Sequence, residues 1–313
     1  MAERWSEANI PDLSDRVIMV TGANSGIGYE AARAFAQHGA HVVLACRNRT
    51  KADAAVADIG ASAAGPSVEV LEVDLGDLDS VASAAKQFLS DHDRLDVLVN
   101  NAGLMALPHQ RTAQGFEMQF GVNHLGHWAL TSHLMAALLR ADAARIVTVT
   151  STAHHLGRAV DPANPHLHGR YRPWRAYGQS KLANYHFAIG LQREFAAHGL
   201  SAASLLAHPG LSNTDLQART VTEGGAGWTA NIAHLLSTKT GMTAEQGAMP
   251  QIRAATDPEA KGGEFYAPRF VNSGAAVRRP ILRRWGLTKA IETLWTVSER
   301  ETGLAMNIPA TDG

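Results

Sequence analysis

Cysteine occurs once in 313 residues, at Cys46. With no second thiol the chain can build neither an internal disulfide framework nor a multi-thiolate metal site, so a reducing cytoplasm is the expected compartment. An excess of either charge is also missing. The 28 Lys and Arg residues face 29 Asp and Glu, and a formal net charge of -1 gives no bulk field to hold nucleic acid or anionic lipid. Long apolar runs are missing too: the longest stretch free of charged side chains, residues 118–139, carries Gln119, Asn123, His124, His127 and His133. It reads as a buried helix rather than a bilayer span. The first 16 residues mix both charge signs and lack the apolar core of roughly 7–15 residues that an export signal needs, so neither export nor an integral membrane anchor is expected. No fixed-period repeat is present, and 45% hydrophobic against 18% charged residues excludes disorder.

What remains is an alternation. Short apolar runs bounded by turn residues recur at 17–21, 41–45, 68–73, 95–100, 146–150 and 202–207, the pattern of strands covered on both faces. Ala-rich stretches with helical spacing lie among them at 28–38, 80–90, 116–140 and 177–198. Strands alternating with helices predict an α/β fold, a doubly wound parallel sheet flanked by helices. Residues 60–66 and 163–173 read as loops rather than linkers, so one Rossmann-type domain is expected over 1–313. Its cofactor-binding half would run from 15 to 150 and its catalytic half from 151 to 303.

The first expected strand runs through Thr21-Gly22-Ala23-Asn24-Ser25-Gly26-Ile27-Gly28 into a helix. Small residues there let backbone N–H groups and a helix N-terminus approach a pyrophosphate, although glycine-rich turns also serve packing. Arg47 follows the second strand, 19 positions beyond Gly28. An acidic residue near that place binds ribose hydroxyls, whereas an arginine pairs with a 2′-phosphate and favours NADP(H); a solvated surface arginine is the alternative. Asp74 can accept from an adenine amino group, open the next turn, or do both.

Thr21–Gly28, Asp74, Asn100-Asn101-Ala102-Gly103, Asn123, Ser151, Tyr177-Gly178-Gln179-Ser180-Lys181 and His208-Pro209-Gly210 stand in an order that resembles the short-chain dehydrogenases/reductases of classical type. The stretches 120–127, 151–155, 180–184 and 245–248 resemble their retinol-dehydrogenase-like branch, and the resemblance runs from about residue 15 to 303. It implies a catalytic set of Asn123, Ser151, Tyr177 and Lys181. Cofactor contacts are implied for Gly22, Asn24, Ser25, Gly26, Ile27, Gly28, Arg47, Asp74, Leu75, Asn101, Ala102, Gly103, Tyr177, Lys181, Pro209, Gly210 and Thr214. Ser151 would hold a substrate carbonyl oxygen, and Asn123 would support proton resupply through a water or else satisfy helix backbone. Asp215 and its neighbours depart from the basic residue often found just before the hydroxyl matched here by Thr214.

Tyr177 and Lys181 are four positions apart on an expected helix, so they share a face. An ammonium at about 4 Å would favour the phenolate by about 4 kcal/mol at an effective dielectric of 20, or roughly 3 pK units, bringing the phenol toward neutrality. Ser151 and Tyr177 are 26 positions apart, a gap that suits the retinol-dehydrogenase-like branch, and the intervening segment with His154, His155, His166, His168, Tyr171 and Trp174 is expected to line the substrate cavity. No metal is expected, since hydride transfer needs none and no carboxylate or thiolate joins these histidines at ligand spacing. Residues 211–241, with Leu216, Trp228 and Leu235 between glycines, are expected to close over an apolar substrate, unless they form a dimer contact or core. A homo-oligomer is compatible with this. The chain therefore reads as an NADP(H)-dependent carbonyl reductase or alcohol dehydrogenase acting on a small, apolar carbonyl or alcohol substrate, with retinol itself not expected. A catalytically idle NADP(H)-binding sensor and a nucleotide-sugar epimerase are the other readings, opposed respectively by the complete catalytic set and by the Gly22-x-x-x-Gly26-x-Gly28 spacing.

Overall fold

The computed structural model describes residues 5–62, 67–210, 242–282 and 285–309. Thr214 and the expected closing segment 211–241 lie outside the described residues. Eight strands form one sheet: β1 (Val17–Thr21), β2 (His41–Cys46), β3 (Val68–Glu72), β4 (Val97–Asn100), β5 (Arg145–Val149), β6 (Ala203–Ala207), β7 (Phe265–Pro268) and β8 (Ala276–Arg279). Their order is β3-β2-β1-β4-β5-β6-β7-β8. All pairings are parallel except β7 with β8, so the sheet expected to be parallel carries one antiparallel strand at its edge. Strand order reverses between β1 and β4, and it is there, outside the carboxyl ends of the strands, that such sheets open a ligand crevice.

Helices cover both faces because every central strand is apolar on both. On one face, α1 (Gly26–Gln37), α2 (Arg49–Ser62) and α7 (Ala244–Thr256) bury Phe35, Ile59 and Ile252 against Ile18, Val42 and Val147. On the other lie α3 (Leu78–Asp91), α5 (Gly126–Leu139), α6 (Pro173–Ala197) and α8 (Leu287–Thr302), and Phe88, Trp128, Phe187 and Val297 pack on Met19, Leu98 and Ile146.

Two helices differ from expectation in ways that shape the site. The stretch 116–140 is not continuous: a single turn, α4 (Met118–Phe120), passes into a π turn over Gly121–Leu125 before α5. There the N–H of Gly126 reaches back five residues to the carbonyl of Gly121. Meanwhile α6 starts at Pro173, four residues before Tyr177, because a proline in the first turn lacks only an N–H that has no helical partner anyway. Residues 60–62, expected in a loop, are the last turn of α2.

Candidate active site

The loop from β1 to α1 forms a cradle of bare backbone. Gly22 and Gly26 take φ of 66° and 59°, a region open mainly to glycine. A Cβ at Gly28 would lie 2.5 Å from both the Gly22 carbonyl oxygen and Asn101 Nδ2, so only glycine lets the helix start so close to the turn. The first-turn N–H groups of an α-helix have no intrahelical acceptor, and with glycines at 22, 26 and 28 the N-terminus of α1 lines the cleft where a pyrophosphate would meet them.

A buried polar chain fixes the neighbouring β4 loop. Thr21 Oγ1 accepts the N–H groups of Asn101 and Ala102, each at 2.9 Å, and lies 2.9 Å from His127 Nε2. His127 Nδ1 is 3.0 Å from the carbonyl oxygen of Asn123, which can only accept, so Nδ1 carries the proton and Thr21 donates to Nε2. Burial above all, with help from the charge of Lys181, pushes His127 down to about 4 against the opposing bond to Asn123. A neutral imidazole is what this geometry needs. Asn123 spends its amide on the chain: Oδ1 accepts from Leu104 N–H at 2.7 Å, and Nδ2 donates to the Leu104 carbonyl and Ser180 Oγ, both at 2.9 Å. Thr21 and His127 join this network although the motifs that contain them assign them no role, and the four-residue spacing of Asn123 and His127 is the local signal for it.

Ser151 ends the β5 extension and caps the short turn Thr152–His155, accepting the N–H of Ala153 at 3.3 Å. Its side chain lines the same cleft as the Tyr177 phenol. The Lys181 amine donates to the Val149 carbonyl at 3.3 Å and lies 5.9 Å from the centre of the Tyr177 ring. Burial raises the Tyr177 phenol, with the nearby Ser151 side chain opposing, and burial pushes Lys181 down to about 8. The lowered phenol expected from the Tyr177–Lys181 spacing is thus not found: both groups lie out of water, and desolvation acts on each more strongly than their mutual attraction.

These parts line one cleft of about 700 Å³, which runs from Arg47, Asp74 and Leu75 past Gly22, Asn24, Ser25, Gly26, Ile27 and Gly28, then Asn101, Ala102 and Gly103, to Ser151, Tyr177 and Lys181, with Pro209 and Gly210 on its far wall. Asp74 Oδ1 accepts the Gly76 N–H at 2.8 Å, and its other oxygen lies 3.7 Å from Arg47 Nη1 at the solvent edge. Asn123 stands behind the cleft rather than in its wall, yet near Lys181: a Cβ built on Gly103 would be 3.2 Å from both Asn123 Oδ1 and Lys181 Nζ.

The segment between Ser151 and Tyr177 divides. His155, Leu156 and Trp174 reach the cleft. His154 is buried, 2.5 Å from the Ser151 carbonyl through Nδ1. His166 and His168, expected near the substrate, are elsewhere: His166 joins the Glu117 N–H at 3.2 Å and Glu301 at 3.0 Å, and His168 joins Arg111. Their length of chain is spent bridging α8 and the Glu117 turn.

The family described as short chain dehydrogenase matches residues 16–224. Retinol dehydrogenase 11 of Homo sapiens is 43% identical over 209 residues, which is 65% of this chain and 63% of that protein, so the chain aligns with less than two thirds of this relative's length. A crystal structure of an uncharacterized protein from Mycobacterium paratuberculosis is 36% identical with a TM-score of 0.78, covering 98% of this chain and 100% of that one. A crystal structure from Beutenbergia cavernae, described as that of an NAD(P)-dependent gluconate 5-dehydrogenase by assignment and holding NADP at low occupancy, is 28% identical with a TM-score of 0.61, covering 79% of this chain and 91% of that one.

Proposed function

Because the chain belongs to the short-chain dehydrogenase/reductase family, in its retinol-dehydrogenase-like branch, we propose that it is an NADP(H)-dependent oxidoreductase of the reducing cytoplasm that interconverts an apolar carbonyl compound and its alcohol. The observation that carries this reading is that Ser151, Tyr177 and Lys181 line one cleft together with the glycine cradle, Lys181 standing one helical turn from Tyr177 on α6. A bound nicotinamide supplies or takes the hydride. The chain's own part is to handle the oxygen. Ser151 donates a hydrogen bond to the carbonyl oxygen, and Tyr177, kept protonated by its buried setting, gives that oxygen its proton as the alcohol forms. Lys181, with an amine pushed down to about 8, exchanges protons near working pH and recharges the phenol.

At the other end, the guanidinium of Arg47 meets the 2′-phosphate that distinguishes NADP(H), while the glycine cradle holds the pyrophosphate. Leu156 and Trp174 at the mouth favour an apolar substrate. The test is NADPH consumption across a panel of aliphatic and aromatic carbonyl compounds, by the wild type and by Tyr177→Phe. The variant is expected to lose at least about 10²-fold in kcat and to bind NADPH as before. Absence of turnover on the whole panel, or near-normal turnover in Tyr177→Phe, would overturn the reading.

A further inference from the structure

The opposite edge of the sheet carries a second cluster of reactive side chains. His41 opens β2, Glu69 is the second residue of β3, and His92 caps the end of α3. Strands β2 and β3 are parallel with Val43 beside Glu69, so His41 and Glu69 project from the same face of the sheet, one diagonal step apart. His92 is swung over that face by its extended backbone, with its N–H tied to the Phe88 carbonyl at 2.9 Å and its ring stacked on Phe88 at 4.6 Å. Three different elements thus hold three donor atoms, all within 4.8 Å of one another.

His92 Nε2 stands 2.7 Å from Glu69 Oε1, a hydrogen-bonded ion pair complete in itself. That pair leaves His41 unexplained. Its Nε2 is buried, lies 3.4 Å from the same carboxylate oxygen, and makes no well-formed hydrogen bond among the described residues. A buried imidazole nitrogen facing a shared carboxylate oxygen at a distance too long for a good bond leaves room for a cation to bridge the two.

We propose that His41, Glu69 and His92 bind one divalent transition cation of the zinc type, with the fourth position open to water. Zinc takes imidazole nitrogen and carboxylate oxygen at about 2.0–2.2 Å, which sets tetrahedral donors about 3.3–3.5 Å apart. The His41 to Glu69 distance is already at that value, and the His92 to Glu69 distance opens to it once a metal ion replaces the proton between them. The carboxylate is 42% exposed, which gives the ion a way in. Donors 28 and 51 positions from His41 form no spacing motif, and only the sheet register with the helix end assembles them.

The site sits at the amino ends of β2 and β3, while the cleft lies at their carboxyl ends. Six strand residues at about 3.3 Å each separate them. The bound ion therefore clamps β2, β3 and α3 together and takes no part in hydride transfer. In calorimetric titration of the chelator-stripped full chain with zinc chloride, one equivalent should bind. His41→Gln and His92→Gln should each weaken that binding at least tenfold and leave the basal reductase rate unchanged. In the wild-type chain, zinc should shield His41 and His92, but not the exposed His109, from diethylpyrocarbonate as read by mass spectrometry. No saturable binding, equal affinity in the variants, or equal modification with and without zinc would overturn the proposal, and the shielding measurement decides it even if a variant fails to fold.

Discussion

At Tyr177 and Lys181 the same physical cause acts in opposite directions, since burial disfavours both phenolate and ammonium. The lysine is the costly partner. Its pKa falls from 10.5 to about 8, which corresponds to about 3 kcal/mol of lost stability at neutral pH. Between about pH 8 and 10.5 the unfolded chain holds a proton that the folded chain has released, so this cost is full below 8 and fades as pH rises to 10.5. Lys181→Met should therefore be inactive yet more stable than wild type at pH 7 by up to about 3 kcal/mol, with the difference closing by pH 10.5 in urea titrations. The Val149 carbonyl would not be orphaned, because Asn184 Nδ2 also donates to it at 3.1 Å. A destabilised variant at pH 7 would show that the buried ammonium is better paired than its single bond at 3.3 Å indicates. Arg47 is the opposite case, largely exposed and 3.7 Å from Asp74, so removing it costs the fold little. Charge-assisted hydrogen bonds to a 2′-phosphate are worth about 1.5–3 kcal/mol each. Arg47→Ala should weaken NADPH roughly tenfold to a hundredfold and leave NADH nearly unchanged, and Arg47→Asp should go further. Equal loss for both cofactors, measured as Kd at fixed ionic strength, would return Arg47 to a plain surface charge.

Elements set the distance between the two oxygen-handling groups. Ser151 belongs to the turn after β5 and Tyr177 to α6, and the two elements touch through paired glycines. A Cβ on Gly178 would stand 3.1 Å from both the Ala153 carbonyl oxygen and Gly157 N, and a Cβ on Gly157 would run into the Gly178 carbonyl. Gly157→Ala must therefore push the 151–157 turn off the helix. Misplacement by about 1 Å at a reacting pair costs on the order of 10²-fold. The expected outcome is a fall of that order in kcat with NADPH affinity little changed, because the cradle at 22–28 is built on a different strand. A variant with wild-type kcat would mean that the helix yields and the turn does not. The π turn at Gly121–Leu125 works similarly, presenting the Asn123 carbonyl to His127 and the Asn123 amide to Leu104 in one stroke.

Over the whole molecule, buried neutral histidines tie stability to acidity. Burial is the main cause that pushes His124 and His208 down to about 3 and His127 to about 4, from 6.5. Each is neutral in the folded chain where the unfolded chain would take up a proton. Their stabilising contribution is complete above pH 6.5 and is lost as pH falls toward 4 and below. Three such groups remove about 4 kcal/mol per pH unit once pH is well below 6.5. The urea midpoint should drop steeply between pH 6.5 and 4.5, and His208→Leu should shallow that slope by about a third, since neither ring nitrogen of His208 has a hydrogen-bond partner among the described residues. A flat midpoint over this range would mean that water reaches these rings.

The α/β class and six of the eight strands follow from the sequence itself, because a strand covered on both faces must be apolar throughout, and that is visible in one dimension. The cradle glycines and the Tyr177–Lys181 spacing are legible for the same reason: each is a local backbone requirement. The last two strands are not, since Phe265–Pro268 and Ala276–Arg279 are only four residues long and carry proline and arginine, the second of them at the sheet edge where charge is tolerated. Helices α2, α7 and α8 also went unread, with α7 interrupted by Pro250. What only tertiary structure decided is everything that depends on water being excluded or on distant residues meeting. The direction of the Tyr177 shift, the neutral His127 between Thr21 and Asn123, the diversion of His166 to Glu301, and the meeting of His41 with Glu69 and His92 belong there. Desolvation and long-range contact are properties of the packed chain, and no spacing along the sequence records them.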